Sequence, residues 1–222
     1  MARRQAPGTR ERILAVAARL FSRHGVRAVG MQQLVDETGL GKSLVYREFA
    51  SKDDLVAAWL RDNDQAWVKL ADAATAPYEG DPARQLLALV EFVYDSVGTD
   101  EFYGCPFYST LSEFREPSHP GRQAALEHLD RLRALLRRYG REAGAADPKA
   151  LADSLLLVIG GTLVNGVAYG GTGPAEQAVP VAAAIIQQAV TGSVTGNVTG
   201  NVTGSAAGHG GRRRKAVVKA TA

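Results

Sequence analysis

The sequence predicts an all-α protein: a three-helix head containing a helix-turn-helix, a larger helical body, and a disordered basic C-terminal tail. Three observations predict it. Apolar residues recur at helical spacing from Thr9 to Val190, with no alternating strand pattern. Cap signals punctuate these stretches: Ser51-Lys52-Asp53-Asp54 reads as a capping box, and Asp81-Pro82 and Asp147-Pro148 as N-caps followed by proline at the first helical position. From Thr191 the chain becomes a Val-Thr-Gly-Asn repeat with no large side chain to bury.

The elements follow in order. A first helix over residues 9–24 takes Thr9 as its cap and places Ile13, Leu14, Ala17, Leu20 and Phe21 on one face, with Gly25 as its stop. A short second helix over 31–38 buries Leu34 and Val35 and ends at Gly39. After a tight turn, a third helix over 42–49 turns Leu44, Val45 and Phe49 inward, leaving Lys42, Ser43, Tyr46 and Arg47 mostly outward. The capping box opens a long fourth helix through Trp59 and Trp67 to about residue 74. The body continues with the stripe Leu86, Leu87, Val90, Val93, Tyr94 and Val97. A helix over 121–141 carries Leu126, Leu129, Leu132, Leu135, Leu136 and Tyr139. Another, after Asp147-Pro148, carries Leu151, Leu155, Val158, Ile159 and Leu163, and a last one over 174–190 carries Val181, Ile185 and Ile186. The resulting division is a flexible arm at 1–8, the head at 9–55, the body at 56–190 and the tail at 191–222.

Charge is distributed unevenly. Residues 1–60 hold 10 Lys/Arg against 6 Asp/Glu, residues 61–190 hold 11 against 17, and the tail holds 5 against none. A basic head on an acidic body suits a DNA-binding module, because counterion release from phosphates supplies much of the affinity; simple solvation of surfaces explains the same charges less specifically. The lone Cys105 has no disulfide partner, and His24, His119, His128 and His209 have no metal-site spacing, so neither metal nor cofactor is expected. The polar N-terminus lacks a signal-peptide core and no run approaches the ~20 apolar residues of a membrane span, which predicts a cytoplasmic protein without a membrane partner. No nucleophile elbow, phosphate loop or useful carboxylate pair appears, and Gly160-Gly161 and Gly170-Gly171 lack the strand a dinucleotide site needs, so no enzyme is expected.

Two helices joined by a glycine turn form either an ordinary helical hairpin or a helix-turn-helix that presents its second helix to the major groove. The residues favour the latter. Phe21-Ser22-Arg23-His24-Gly25 and Gly39-Leu40-Gly41-Lys42-Ser43-Leu44-Val45-Tyr46-Arg47-Glu48-Phe49, followed by Lys52, closely resemble the DNA-binding segment of the TetR family of bacterial regulators. Gly104-Cys105-Pro106-Phe107, with Glu113-Phe114 and His119-Pro120, resembles the C-terminal domain of one TetR subgroup.

The resemblance implies a transcriptional regulator, a repressor released by a small-molecule ligand. Lys42 and Tyr46 are then expected on phosphates and Ser43 and Leu44 near base edges. Lys52 would clamp phosphate, and Gln32, Gly41 and Arg47 complete the contact set. Arg47 can reach a phosphate or a guanine edge. For Tyr46 a hydrophobic wedge between helices is the competing reading. Three departures stand out: Met31 where the family has a capping Thr, Gly41 where it has Ser, and Glu48 where His or Tyr is common.

One short recognition helix is too small for a specific complex, so a homodimer on a palindromic double-stranded operator is expected. By resemblance the last two helices form the interface, with Leu155, Val158, Ile159, Leu163, Ala182, Ile185 and Ile186 as candidates. Gly160, Gly161, Gly166 and Ala168 there either permit close helix approach or mark a kink. An effector, apolar or aromatic, would occupy a pocket lined by Trp67, Phe92, Phe102, Cys105, Phe107 and Tyr108, side chains that also suit a plain core. The competing function is a nonspecific, nucleoid-type DNA coater acting through Arg212, Arg213, Arg214, Lys215 and Lys219.

Overall fold

The computed structural model describes residues 8–99 and 102–192, and the described residues contain helices and no strand. The head is α1 (Thr9–His24), α2 (Met31–Thr38), α3 (Lys42–Glu48) and the start of α4 (Lys52–Thr75). The body adds α5 (Pro82–Val97), α6 (Pro106–Glu113), α7 (Pro120–Glu142), α8 (Pro148–Tyr169) and α9 (Ala178–Thr191), with 3-10 turns at Ala76–Tyr78 and Gly173–Gln177. Residues 1–7 of the expected arm and residues 193–222 of the expected tail lie outside the described residues.

Local chemistry accounts for most boundaries. Ser51 Oγ accepts from the Asp54 amide at 3.1 Å and donates to the Asp54 carboxylate, a reciprocal cap. Asp81 and Asp147 cap α5 and α8 by accepting from Arg84 and from Lys149 and Ala150. Gly39 ends α2 at φ 62°, a left-handed conformation that costs a side-chain-bearing residue about 1–2 kcal/mol.

Several expectations are corrected. Gly8, not Thr9, occupies the cap of α1, and Thr9 is buried inside the first turn. α6, opened by Pro106, has no counterpart in the sequence periodicity. α9 begins at Ala178 instead of Pro174, because Pro180 has no N–H and fits only a first turn, where that donor would go unused. In α7 the inward stripe runs through Ala124, Ala125, His128, Leu132, Leu136 and Tyr139, while Leu126 is exposed.

Two hydrophobic cores divide within α4. The first joins Ile13, Leu20 and Phe21 to Leu34, Val45, Phe49, Leu55, Val56, Trp59 and Leu60, and extends to Phe107, Ala124 and Ala125. The second gathers Leu86, Leu89, Val90, Leu132, Leu136, Leu151, Leu155, Ile159, Ala182 and Ile186. α4 and α7 approach so closely that a Cβ on Gly121 would lie 2.7 Å from Val56 Cγ1, which restricts that position to glycine.

α8 departs from the sequence reading in another respect. By length and composition it is long and apolar enough to cross a membrane. Its inner face nevertheless fills the second core, while Leu157, Val164 and Val167 stand 78%, 64% and 61% exposed on the outer side.

Candidate nucleic-acid interface and the cavity behind it

The helix-turn-helix is held from below. Val45 and Phe49 are buried in the head core, and Thr38 Oγ1, also buried, donates to Val35 O at 2.8 Å and accepts from Leu40 N at 3.3 Å, fixing the turn between α2 and α3. This turn lock is absent from the sequence reading; a Thr one residue before the stop glycine was its signal.

The upper face of α3 is left to solvent. Gly41, Lys42, Ser43, Tyr46 and Arg47 are exposed, Leu44 is half-buried, and Gln32 is exposed on α2 with its amide donating to Asp36 at 2.9 Å. Tyr46 is 40% exposed and Lys42 Nζ lies 5.8 Å from its ring centre, so the ring is a support beneath the ammonium on the open face. Gly41 is extended (φ −63°, ψ 139°) and gives no side-chain cap, and neither does Gly30 before Met31.

Two residues behave differently from expectation. Lys52 Nζ is turned toward the Arg27 carbonyl at 3.5 Å, and burial lowers its pKa against the opposing pull of Glu113 and Asp53. Its ammonium is therefore engaged within the chain. Glu48, a departure from the family pattern, has a buried Oε1 without a hydrogen-bond partner among the described residues.

A joint links head and body. The Glu113 carboxylate, at the end of α6, accepts from the amides of Val26 at 3.0 Å and Arg27 at 2.6 Å in the loop after α1. Arg27 lies over the Phe114 ring, and Phe114 stacks on His119 at 3.9 Å. His119 Nδ1 caps α7, and its Nε2 lies 3.3 Å from Asp53 of α4, off the line of a hydrogen bond. None of these long-range partners was readable from spacing.

The other end of α6 meets a cavity of about 280 Å³ between α4, α5, α7 and α8. All the expected pocket residues, Trp67, Phe92, Phe102, Cys105, Phe107 and Tyr108, line it. Burial raises the pKa of the Cys105 thiol and the Tyr108 phenol, keeping both neutral. Ile159 and Leu163, expected at a dimer interface, also line this cavity.

The seven interface candidates fall into two groups by burial. Leu155, Ile159, Ala182 and Ile186 are buried in the chain's own core, and Val158, Leu163 and Ile185 are half-buried against it, because the inner face of α8–α9 is as apolar as the outer one. Gly166 sits under Val97 and Phe102, and Gly160 against the Tyr108 hydroxyl; Gly161 alone of these glycines has open space beside it.

His128 of α7 also lines the cavity. Its Nδ1 lies 2.8 Å from Asp64 of α4, whose other carboxylate oxygen takes Arg131 at 2.8 Å. Phe107 stacks on the imidazole at 3.5 Å and Trp67 meets it edge-on at 5.2 Å. Burial lowers the His128 pKa, with Asp64 pulling it back. Among the described residues no His/Cys/Asp/Glu group could hold a metal ion.

Comparison with known proteins fits this geometry. The family of bacterial regulatory proteins named for TetR matches residues 13–59. The HTH-type transcriptional regulator AcrR of Shigella flexneri is 26% identical over 144 residues, 61% of this chain and 66% of that protein. A crystal structure of a TetR-family regulator from Streptomyces coelicolor superimposes with a TM-score of 0.77 at 24% identity, covering 82% of this chain and 95% of the other. A TetR-type regulator from Streptomyces avermitilis is 31% identical, with a TM-score of 0.73 and coverage of 83% of this chain and 98% of its own. The chain therefore belongs to the TetR family of DNA-binding, ligand-responsive transcriptional regulators, which generally act as dimers and are not enzymes.

Proposed function

We propose that this regulator is a cytoplasmic repressor that binds a palindromic operator as a homodimer and is released by an apolar or aromatic small molecule held in the body cavity. The observation that carries the reading is the face of α3: Lys42, Ser43, Tyr46 and Arg47 stand outward together over a helix anchored by Val45 and Phe49. Lys42 and Tyr46 serve phosphates, which position the head. Ser43, Leu44 and Arg47 approach base edges, with Gln32 and Gly41 at the margin. Lys52 joins them on phosphate only by leaving the Arg27 carbonyl.

Dimerisation uses the outer face of α8, where Leu157, Gly161, Val164 and Ala168 follow helical spacing, continued by Val181 on α9. An exposed apolar row of this kind is a protein-interaction surface by default. The Gly104-Cys105-Pro106-Phe107 segment, at the cavity wall, supports placing the chain in the narrower subgroup marked by that sequence.

The test is a gel-shift titration on the DNA flanking the protein's own gene in the presence of excess random duplex. The proposal expects a complex that survives the competitor; loss of all binding to the competitor would instead favour a nonspecific DNA coater.

A further inference from the structure

The cavity wall is apolar apart from the polar side chains of Asn63, Ser96, Cys105, Tyr108 and His128. Among the described residues no Lys, Arg, Asp or Glu lines it. Ser96 spends its hydroxyl hydrogen on Val93 O at 2.6 Å, leaving only lone pairs. Asn63 gives one amide hydrogen to Trp59 O at 2.8 Å and keeps both functions, so it does not discriminate. The Tyr108 hydroxyl lies against Gly160, which lines the neighbouring groove and not this cavity.

His128 decides the polarity. Asp64 is paired with the Arg131 guanidinium and can only accept, so the 2.8 Å contact fixes Nδ1 of His128 as the donor. Burial keeps the ring neutral, which leaves Nε2 with a lone pair. Phe107 covers one ring face, His128 lines the cavity, and among the described residues no hydrogen bond engages Nε2, so we take this nitrogen as the ring's free polar edge there. A cavity of about 280 Å³ is at the small end of ligand sites, suited to one or two rings.

We propose that the effector is a neutral aromatic hydrogen-bond donor of one or two rings, a phenol, whose O–H is taken by His128 Nε2 while Trp67, Phe92 and Phe102 enclose its ring. Among the described residues a permanent cation finds no carboxylate on the wall to neutralise it, and an anion finds no cation. This identification rests on the reading of the cavity as the effector site.

Calorimetric titration of the full chain with phenol, 2-naphthol, their methyl ethers and a naphthyl quaternary ammonium tests it. The phenols should bind tenfold to a hundredfold more tightly than the ethers, which leave Nε2 unpaired. His128→Leu should remove that difference. Because this variant leaves Asp64 with Arg131 alone and could unfold, the tautomer is read independently on the native chain: a long-range 1H–15N spectrum should place the proton on Nδ1. Equal binding of phenols and ethers, or a proton on Nε2, overturns the donor assignment while leaving the cavity an effector site. Tightest binding by the ammonium compound overturns it in favour of a cation. Binding by none of them overturns both this proposal and the effector reading of the cavity.

Discussion

The two faces of α8 carry nearly the same side chains in opposite surroundings. Leu151, Leu155 and Ile159 are buried against neighbouring helices, whereas Leu157, Val164 and Val167 stand in solvent. A helix that is apolar on all sides has no polar face to mark the outside, so composition alone does not say which side is core and which awaits a partner. The difference lies in what other elements supply: α5, α7 and α9 fill the inner side, and on our account a second copy of the chain fills the outer.

The comparison can be broken at either face. Leu155→Ala should remove about 2–5 kcal/mol from the folding of a single chain by opening a cavity, read by denaturant unfolding in a Leu157→Glu background so that dimerisation does not contribute. Leu157→Glu alone should weaken dimer association on the order of a hundredfold, about 2.7 kcal/mol, while changing chain stability by no more than about 0.5 kcal/mol. Sedimentation of both variants checks this; a Leu157→Glu protein that stays dimeric at low concentration means the outer face is not the interface.

The same contrast between local and long-range information governs what was legible in the sequence. The head was readable because its signals are local: the Ser51 cap, the stop at Gly39 and the outward set Lys42, Ser43, Tyr46 and Arg47 all lie within a few residues of what they control. The cavity-lining aromatics were legible as a set, since large rings in α4, α5 and α6 had few other places to go. Which face of α8 is core was not legible: Leu155 and Ile159, read as interface candidates, fill the chain's own core. Nor were His128 and Glu113. Each is a polar residue whose role comes from a partner 64 or 86–87 positions away, Asp64 in one case and the amides of Val26 and Arg27 in the other.

Glu113 extends the comparison to the two ends of α6, one at the cavity and one at the head. Glu113→Ala should cost about 1–2 kcal/mol, because two amides lose a charged acceptor near the surface. It should also uncouple the ends, so that an effector still binds the body but no longer releases DNA. Parallel calorimetry and anisotropy measurements separate the two effects.

The smallest expected effect is a pH dependence. Burial holds His128 below the ordinary histidine value of 6.5, with Asp64 only partly offsetting it, so the unfolded chain binds this proton at higher pH than the folded one. The stabilising contribution of the neutral ring is complete above about pH 6.5 and is lost as the pH falls through the folded-state value. Denaturant midpoints should decline on acidification from pH 7 to 5, and the slope should flatten in His128→Leu.

The central claim, that the outward face of α3 reads DNA, is tested most directly by fluorescence anisotropy. A labelled duplex from beside the protein's own gene is titrated with the native chain and with Lys42→Ala and Tyr46→Ala, each first shown to be dimeric by sedimentation. The account predicts that each substitution weakens binding by about 1–3 kcal/mol with the dimer intact. Unchanged affinity in both variants would contradict it.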